Sequence, residues 1–530
     1  MKTNFCRVMR LMSLRFRDRQ AIVNVERGRN YSYHDYHLLT NRIADALRNA
    51  LGIGKGDKFL LILENDNLSL MMLPTVLKQE GTVVMTNLRD PLEEHARQVE
   101  LLKPKVVFIE TSLLDGYYAM LRAACCEIVV MDDLTPEQAT RPGVRGFWSL
   151  VDAASELDAD VELDDDEHIF MLRFTGGTTG QGKCAMYSIA NMMAGRDGAL
   201  GNPDLGFNCQ TRTLHVAPIS HGTMLAFVPT FYSGGANITL NQLDLEQWRQ
   251  TVEQQRVTHS FLVPTVLYRL LELQRASPCD FSSLNTLIYG AAPMSPAKLK
   301  ELITCFGPIF VQIYAATEVP MFVSTLDKSE HETAHTTSGG IERLSSAGRP
   351  TAGVEVYVTD GQGKPLPTGQ CGEIRIRSRA VIKGYYNNLE TTTAEFADGA
   401  WKSGDLGYID EDGYLYIVDR MKDMIISGGF NVYAIEVEAA LASHPAVLMS
   451  AVVGIPHPEW GEAVHAEVVL RPGASVEAAE LIAHAKEKLG SYKAPKSIVF
   501  VEQLPTSAVG KMLRRTVREK YWKNMQRMVS

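Results

Sequence analysis

The run Phe174-Thr175-Gly176-Gly177-Thr178-Thr179-Gly180-Gln181-Gly182-Lys183 sets four glycines, three threonine hydroxyls and a lysine side by side. Glycines let backbone N–H groups approach an anion, hydroxyls donate to its oxygens, and the lysine adds a mobile charge. That chemistry is a polyphosphate clamp. Gly177 to Lys183 also fits the P-loop spacing G-x-x-x-x-G-K, but Cys184 stands where a P-loop needs Ser or Thr to ligate magnesium. The flanking elements differ too. Phe170-Met171-Leu172-Arg173-Phe174 reads as a strand, Cys184-Ala185-Met186-Tyr187 as a second short strand, and Ser188 as the N-cap of a helix. A P-loop helix would open at the lysine. A P-loop NTPase is the remote reading, and a plain Gly/Thr surface turn the bland one.

Further segments carry chemistry of their own. Tyr289-Gly290-Ala291-Ala292-Pro293 offers small residues and a proline as a backbone wall for a flat ring. In Tyr314-Ala315-Ala316-Thr317-Glu318, Tyr314 can stack on an adenine, Thr317 can donate to a phosphate, and Glu318 can hold Mg2+ between phosphate oxygens. Trp401-Lys402-Ser403-Gly404-Asp405 and Asp419-Arg420-Met421-Lys422-Asp423, taken alone, are surface turns. Pro505-Thr506-Ser507-Ala508-Val509-Gly510-Lys511 ends on a lysine that, taken alone, is simply exposed.

In this order along the chain, the segments resemble the superfamily of adenylate-forming enzymes: acyl-CoA synthetases, peptide-synthetase adenylation domains and beetle luciferase. The resemblance runs from about residue 15 to 520 and is nearest to acyl-CoA synthetases. It implies that Thr175, Gly176, Gly177, Thr178, Thr179, Gly180 and Lys183 belong to the phosphate loop. Gly176 and Gly182 depart from the commonest form, where Ser and Pro are frequent. Gly290, Ala291, Ala292, Pro293 and Tyr314 then border the adenine. Thr317 meets the α-phosphate and Glu318 the magnesium. Asp405 accepts from both ribose hydroxyls, for which a two-oxygen carboxylate suits a vicinal diol, and Arg420 reinforces the contact. Residues 420–422 form a hinge with Lys422 as pivot, and Asp419 replaces a common glycine at its start. Lys511 is the late catalytic lysine that bridges carboxylate and α-phosphate. Ala217-Pro218-Ile219-Ser220-His221-Gly222 matches a motif bordering the acyl pocket. Its His221 is expected as gate and wall, because a carboxylate at neutral pH needs no base.

The elements that must position these residues follow from composition and periodicity. A chain of 530 residues exceeds one compact core. Strand-like 59–63 and 106–109, with a helix-like segment around 70–79, imply α/β layers. Phe5, Val8, Met9, Met12 and Leu14 give an opening helix rather than a transit peptide. The acidic stretch 156–167 is expected as a solvated connector. Residues 353–386 alternate with period two, as a small antiparallel β unit. Beyond residue 420, strands at 447–454 and 465–470 with helices at 434–441 and 478–489 imply a small mobile α+β domain. The expected division is an N-terminal adenylation domain over 1–419, the hinge 420–422, and a C-terminal domain over 423–530.

Composition narrows function. Hydrophobic residues make up 45% and charged residues 22%, and the net charge of −9 comes without a basic stripe, which speaks against nucleic-acid binding. The eight scattered cysteines form no C-x-x-C pair and fit reduced thiols in a cytoplasmic protein. No apolar run is long enough to span a membrane. The resemblance implies attack of a carboxylate on the α-phosphate of Mg-ATP, release of pyrophosphate, then transfer of the acyl group to coenzyme A. Ser427-Gly428-Gly429-Phe430-Asn431 resembles the pantetheine tunnel of CoA ligases, with Trp460 at the coenzyme's nucleotide and Lys493 or Lys496 at its phosphates. Alternatives within the resemblance are an amide synthetase and a carrier-protein ligase. Expected pocket residues are His221, Phe227, Phe261, Val263, Tyr289, Ala315, Val319 and Met321. They are mostly apolar with no basic residue among them, which favours a hydrophobic monocarboxylic acid. A homodimer is compatible with the resemblance.

Overall fold

The computed structural model describes residues 1–175, 182–332, 342–507 and 510–522. Its first large sheet has the spatial order Cys184–Ser188, Ile169–Phe174, Thr82–Met85, Lys58–Ile62, Val106–Glu110, Glu127–Met131 and Val144–Gly146. All neighbours run parallel except the first two, which are antiparallel. Strand Lys58–Ile62 shows why such runs are continuously apolar. Phe59 and Leu61 enter one core, Leu60 and Ile62 another. A strand covered on both faces has no solvated side.

The second large sheet runs Arg349–Pro350, Val319–Leu326, Phe310–Ala316, Thr286–Gly290, His259–Leu262, Arg212–His215, Ala236–Thr239, Gln20–Asn24 and Arg29–Ser32. One core joins the facing sides of both sheets with helices Ile189–Leu200 and Thr223–Ser233. The chain thus builds a large N-terminal α/β domain. A smaller C-terminal domain follows, with strands Ile425–Ser427, Phe430–Val432, Val447–His457, Gly461–Leu470 and Ser497–Phe500. Helices Ala434–Ala442 and Ala478–Leu489 pack on one face of that sheet and Arg514–Trp522 on the other.

Three expectations change. The small antiparallel unit does not end near residue 386. Its strands are Val354–Thr359, Gly372–Ser378, Trp401–Ile409 and Leu415–Arg420. Asp405 and Arg420 lie in adjacent strands as direct partners, not in surface turns. Turn-like dipeptides misled here because cross-strand pairing overrides local preference. The helix expected over 70–79 is a 3-10 turn Ser69–Met71 followed by the short helix Met72–Val76, which contains Pro74. Lys78 leaves it to bury its ammonium against His37, Thr40 and Asn41. The acidic stretch is no mere solvated connector. Asp160 pairs with Arg7, Asp158 with Arg10 and His37, and Glu156 with Arg42, which straps it to the first two helices.

Among the described residues no helix is long and apolar enough to cross a membrane. The expected opening helix is present as Phe5–Phe16, capped by the Asn4 side chain.

Candidate active site

The stems of the glycine loop are an antiparallel pair, with Phe174 opposite Cys184. Thr175 N–H donates to the Lys183 carbonyl at 2.8 Å, and Lys183 N–H donates to Thr175 Oγ1 at 3.1 Å, which closes the neck. A Cβ on Gly182 would lie 2.6 Å from the Thr175 carbonyl, so this backbone path leaves no room for a side chain. Gly176, Gly177, Thr178, Thr179 and Gly180 lie outside the described residues. No helix opens at Lys183. The strand Cys184–Ser188 follows, and Ser188 caps the next helix through a reciprocal bond with Asn191. Burial pushes the Cys184 thiol up to about 12, so it is an inert filler beside the loop.

Thr317 and Glu318 form the tip between strands Phe310–Ala316 and Val319–Leu326, where a register shift follows Tyr314. The Thr317 carbonyl accepts from the Tyr187 hydroxyl at 2.5 Å, and its Oγ1 accepts from Arg173 at 3.1 Å. Glu318 is 9% exposed, and burial raises its pKa. The Tyr385 hydroxyl lies 2.7 Å from Glu318 Oε1 and 2.7 Å from Glu395 Oε2, and Glu395 pairs with Lys183. Glu318 thus faces Lys183 across one hydroxyl, and its carboxylate is a hard-oxygen donor of the type Mg2+ takes when substrate phosphates supply further ligands.

Asp405, 6% exposed, takes Tyr314 OH on Oδ2 at 2.6 Å and faces Arg420 Nε from Oδ1 at 3.3 Å. Lys511 comes from the other domain. Ser507 N–H donates to the Lys511 carbonyl at 2.7 Å. Thr265 at the start of helix Pro264–Ala276 donates to the Gly510 carbonyl at 2.6 Å. A Cβ on Gly510 would press Val266 and Val263 at 3.2 and 3.3 Å, and its φ of +79° suits glycine alone. Lys511 is thereby held in the cleft near Asp405 and Arg420. Burial, then the Arg420 charge, lowers its pKa to about 8.

One cleft of about 2350 Å³ between the domains collects these groups. It exceeds the roughly 300–1,000 Å³ of a drug-sized pocket, so it has room for more than one ligand group. His221, Phe261, Val263, Ala315 and Met321 line it as expected. Phe227, Tyr289 and Val319 do not. Phe227 stacks on Phe231 in the core, Tyr289 bonds Gln312 and His331, and Val319 packs beneath the small sheet. Ala291, Ala292 and Pro293 also line the cleft, but Gly290 stands behind them, where a Cβ would meet the Ile313 carbonyl at 2.4 Å. Burial, then Arg173, lowers His221 to about 3, so it stays neutral and weakly basic. Ala291 (φ +64°) and Met321 (φ +73°) both take left-handed conformations on the cleft wall, the kind of strain that gathers at functional sites.

Lys422 is exposed at the turn linking the domains, where Asp423 N–H donates to the Arg420 carbonyl at 2.9 Å. Ser427, Gly428, Gly429 and Trp460 come together away from the cleft lining. Gly428 N–H donates to the Trp460 carbonyl at 3.0 Å, and Lys496 sits over the Trp460 ring. Lys493 lines the cleft instead and pairs with Glu436.

The chain resembles known proteins in sequence and in fold. The sequence profile of the AMP-binding enzymes fits residues 13–386, and that of the AMP-binding enzyme C-terminal domain fits residues 436–511. The chain belongs to the AMP-binding enzyme family. It is 40% identical over 373 residues to the medium/long-chain-fatty-acid–CoA ligase FadD8 of Mycobacterium tuberculosis, a match covering 68% of this chain and 63% of that ligase. It is 38% identical over 398 residues to a feruloyl-CoA synthase of Amycolatopsis, covering 73% of this chain and 78% of the relative. ATP-bound MatB from Rhodopseudomonas palustris superposes with a TM-score of 0.85 at 28% identity, over 98% of this chain and 100% of that one.

Expectations from the sequence did not include Arg173, Tyr385, Glu395 or the cleft-lining Met192, Met224 and Leu225. Arg173 had a signal: it is the one cation in the largely buried strand Ile169–Phe174, beside the glycine-rich segment. The others had none, because helix faces and distant loops meet only in three dimensions.

Proposed function

We propose that this enzyme activates a hydrophobic monocarboxylic acid with Mg-ATP and passes the acyl group to coenzyme A. The observation that carries the reading is the seat of Lys511: a contact between domains places it in the cleft that Thr317, Glu318, Asp405 and Arg420 line. In the first step a carboxylate oxygen attacks the α-phosphorus, the bond to pyrophosphate breaks, and an acyl-adenylate forms. Lys511 spans the two anions and offsets their repulsion. Asp405 orients the ribose, and Thr317 donates to the α-phosphate. Glu318 would hold Mg2+, which neutralises charge on the phosphate oxygens. His221, Phe261, Val263 and Met224 exclude water around the acyl chain.

In the second step the thiol sulfur attacks the acyl carbon, the acyl C–O bond to AMP breaks, AMP leaves and the thiol proton passes to solvent. This needs a thiol at the acyl carbon and Lys511 out of the way. Rotation of the C-terminal domain about Lys422 supplies both, bringing the face of Ser427, Gly428, Gly429 and Trp460 to the cleft. Two glycines with φ of +58° and +84° leave backbone open for a narrow pantetheine arm.

The test supplies acid panels, ATP and Mg2+ and follows AMP and pyrophosphate. Thioester, amide and carrier-bound products are then compared by mass spectrometry with coenzyme A, amines and holo-carrier as acceptors. AMP, pyrophosphate and an acyl-CoA are expected. Product only with amines or carrier would reassign the acceptor, and ADP with phosphate would overturn adenylation itself.

A further inference from the structure

Arg173 occupies a position no part of the proposed reaction uses. It is the penultimate residue of strand Ile169–Phe174, the incoming stem of the glycine loop. Its side chain lines the cleft. Nη2 donates to Thr317 Oγ1 at 3.1 Å, and the guanidinium lies over the Tyr187 ring, 5.7 Å from its centroid. Its buried Nε has no hydrogen-bond partner among the described residues. Tyr187 comes from the outgoing stem, Cys184–Ser188, and its hydroxyl donates to the Thr317 carbonyl. Both ends of Thr317 are thus tied to the two stems of one loop.

The polarity of the first bond decides its consequence. A guanidinium has donors only. Thr317 Oγ1 must therefore accept from Arg173, and the hydroxyl hydrogen is left for another acceptor. A threonine hydroxyl free to rotate would spend part of its time as an acceptor toward an incoming anion. Arg173 removes that orientation. It also sets a permanent positive charge where two anions, a carboxylate and a phosphate, are to meet.

We propose that Arg173 is a positioning residue of the nucleotide α-phosphate site: it fixes the Thr317 hydroxyl as a donor into the cleft and adds a fixed charge beside it. This inference rests on the adenylation reading above.

The probes are AMP, which carries the α-phosphate, and adenosine, which lacks it. Calorimetry on the full chain gives the preference for AMP over adenosine in wild type, Arg173→Met, Thr317→Val and the double variant. Arg173→Met is expected to lower that preference about tenfold, the effect of losing one charge-assisted donor. In the Thr317→Val background the same change should cost clearly less, because the pair acts through one hydroxyl. A merely structural role would weaken AMP and adenosine alike, and that result overturns the proposal. Fully additive losses overturn it as well. Should Arg173→Met fail to fold, Arg173→Gln, uncharged but still a donor, is read the same way and must also lower the preference. Wild type that binds neither probe defeats the adenylation reading instead, a result distinct from an unchanged preference in a protein that binds both.

Discussion

In the proposed reaction Lys511 is the residue on which the first half-reaction turns, and its environment makes that dependence measurable. The ordinary lysine pKa near 10.5 is lowered to about 8, first by burial and then by Arg420. The sign follows: the ammonium is present below about pH 8 and is lost as pH rises through it. For the nucleotide-free enzyme, kcat/KM for acid-dependent pyrophosphate exchange should fall about tenfold per unit above that point. Lys511→Ala should lose roughly 10²–10³-fold in adenylate formation while still using a supplied acyl-adenylate. An alkaline limb that persists in this variant would assign the titration elsewhere. Lys511 was legible in the sequence because a lysine after a small-residue loop matched an ordered motif. Its depressed pKa was not, because Arg420 and the docking helix are remote along the chain.

Among the elements, the strand Leu415–Arg420 does more than the sequence suggested. Asp419, which replaces a common glycine at the start of the expected hinge, is fully buried. Its carboxylate accepts from Arg420 N–H at 2.8 Å and from Ala434 N–H at 2.6 Å, and it faces Arg514 at 3.8 Å. Ala434 begins the first helix of the C-terminal domain. One side chain therefore anchors the last N-terminal strand to the domain proposed to rotate. Removing a charged hydrogen-bond partner costs about 1.5–3 kcal/mol. Asp419→Ala is expected to slow pyrophosphate exchange by roughly tenfold or more and to leave thioester formation from supplied adenylate less affected. Equal loss in both steps would show that the anchor serves folding alone. The period-two pattern revealed two strands of this small sheet. Trp401–Ile409 and Leu415–Arg420 were hidden, because glycine and aspartate there look like turns until a neighbour pairs with them.

At the scale of the molecule, the two domains meet through charge as well as through the Gly510 contact. Arg471 of the C-terminal domain donates to Glu272 at 2.7 Å and to Glu301 at 2.6 Å. Lys298, 1% exposed, donates to the Val447 carbonyl at 2.7 Å. These bonds favour the orientation that seats Lys511. Arg471→Ala should slow adenylate formation about threefold to fivefold, as expected for a part-exposed ion pair, and the defect should shrink as salt weakens the wild-type pair. Stopped-flow comparison of the two half-reactions at low and high salt checks this. A slower thioester step with normal adenylation would reverse the assignment.

The sequence by itself determined the family. Residue types in a fixed order carried it, and with it the proposal of a phosphate loop, a ribose-binding carboxylate and a late lysine, because such groups act through identity and local spacing. It also gave the layers of the large domain, because strands buried on both faces must be apolar throughout. Only the tertiary structure decided which pocket residues face the cleft. Phe227, Val319 and the ring of Tyr289 offer apolar surface like their neighbours, yet packing turns them into the core. Only the fold could bring Arg173 to Thr317, or Tyr385 between Glu318 and Glu395, since hydrogen-bond partners that lie far apart along the chain leave no periodicity to read.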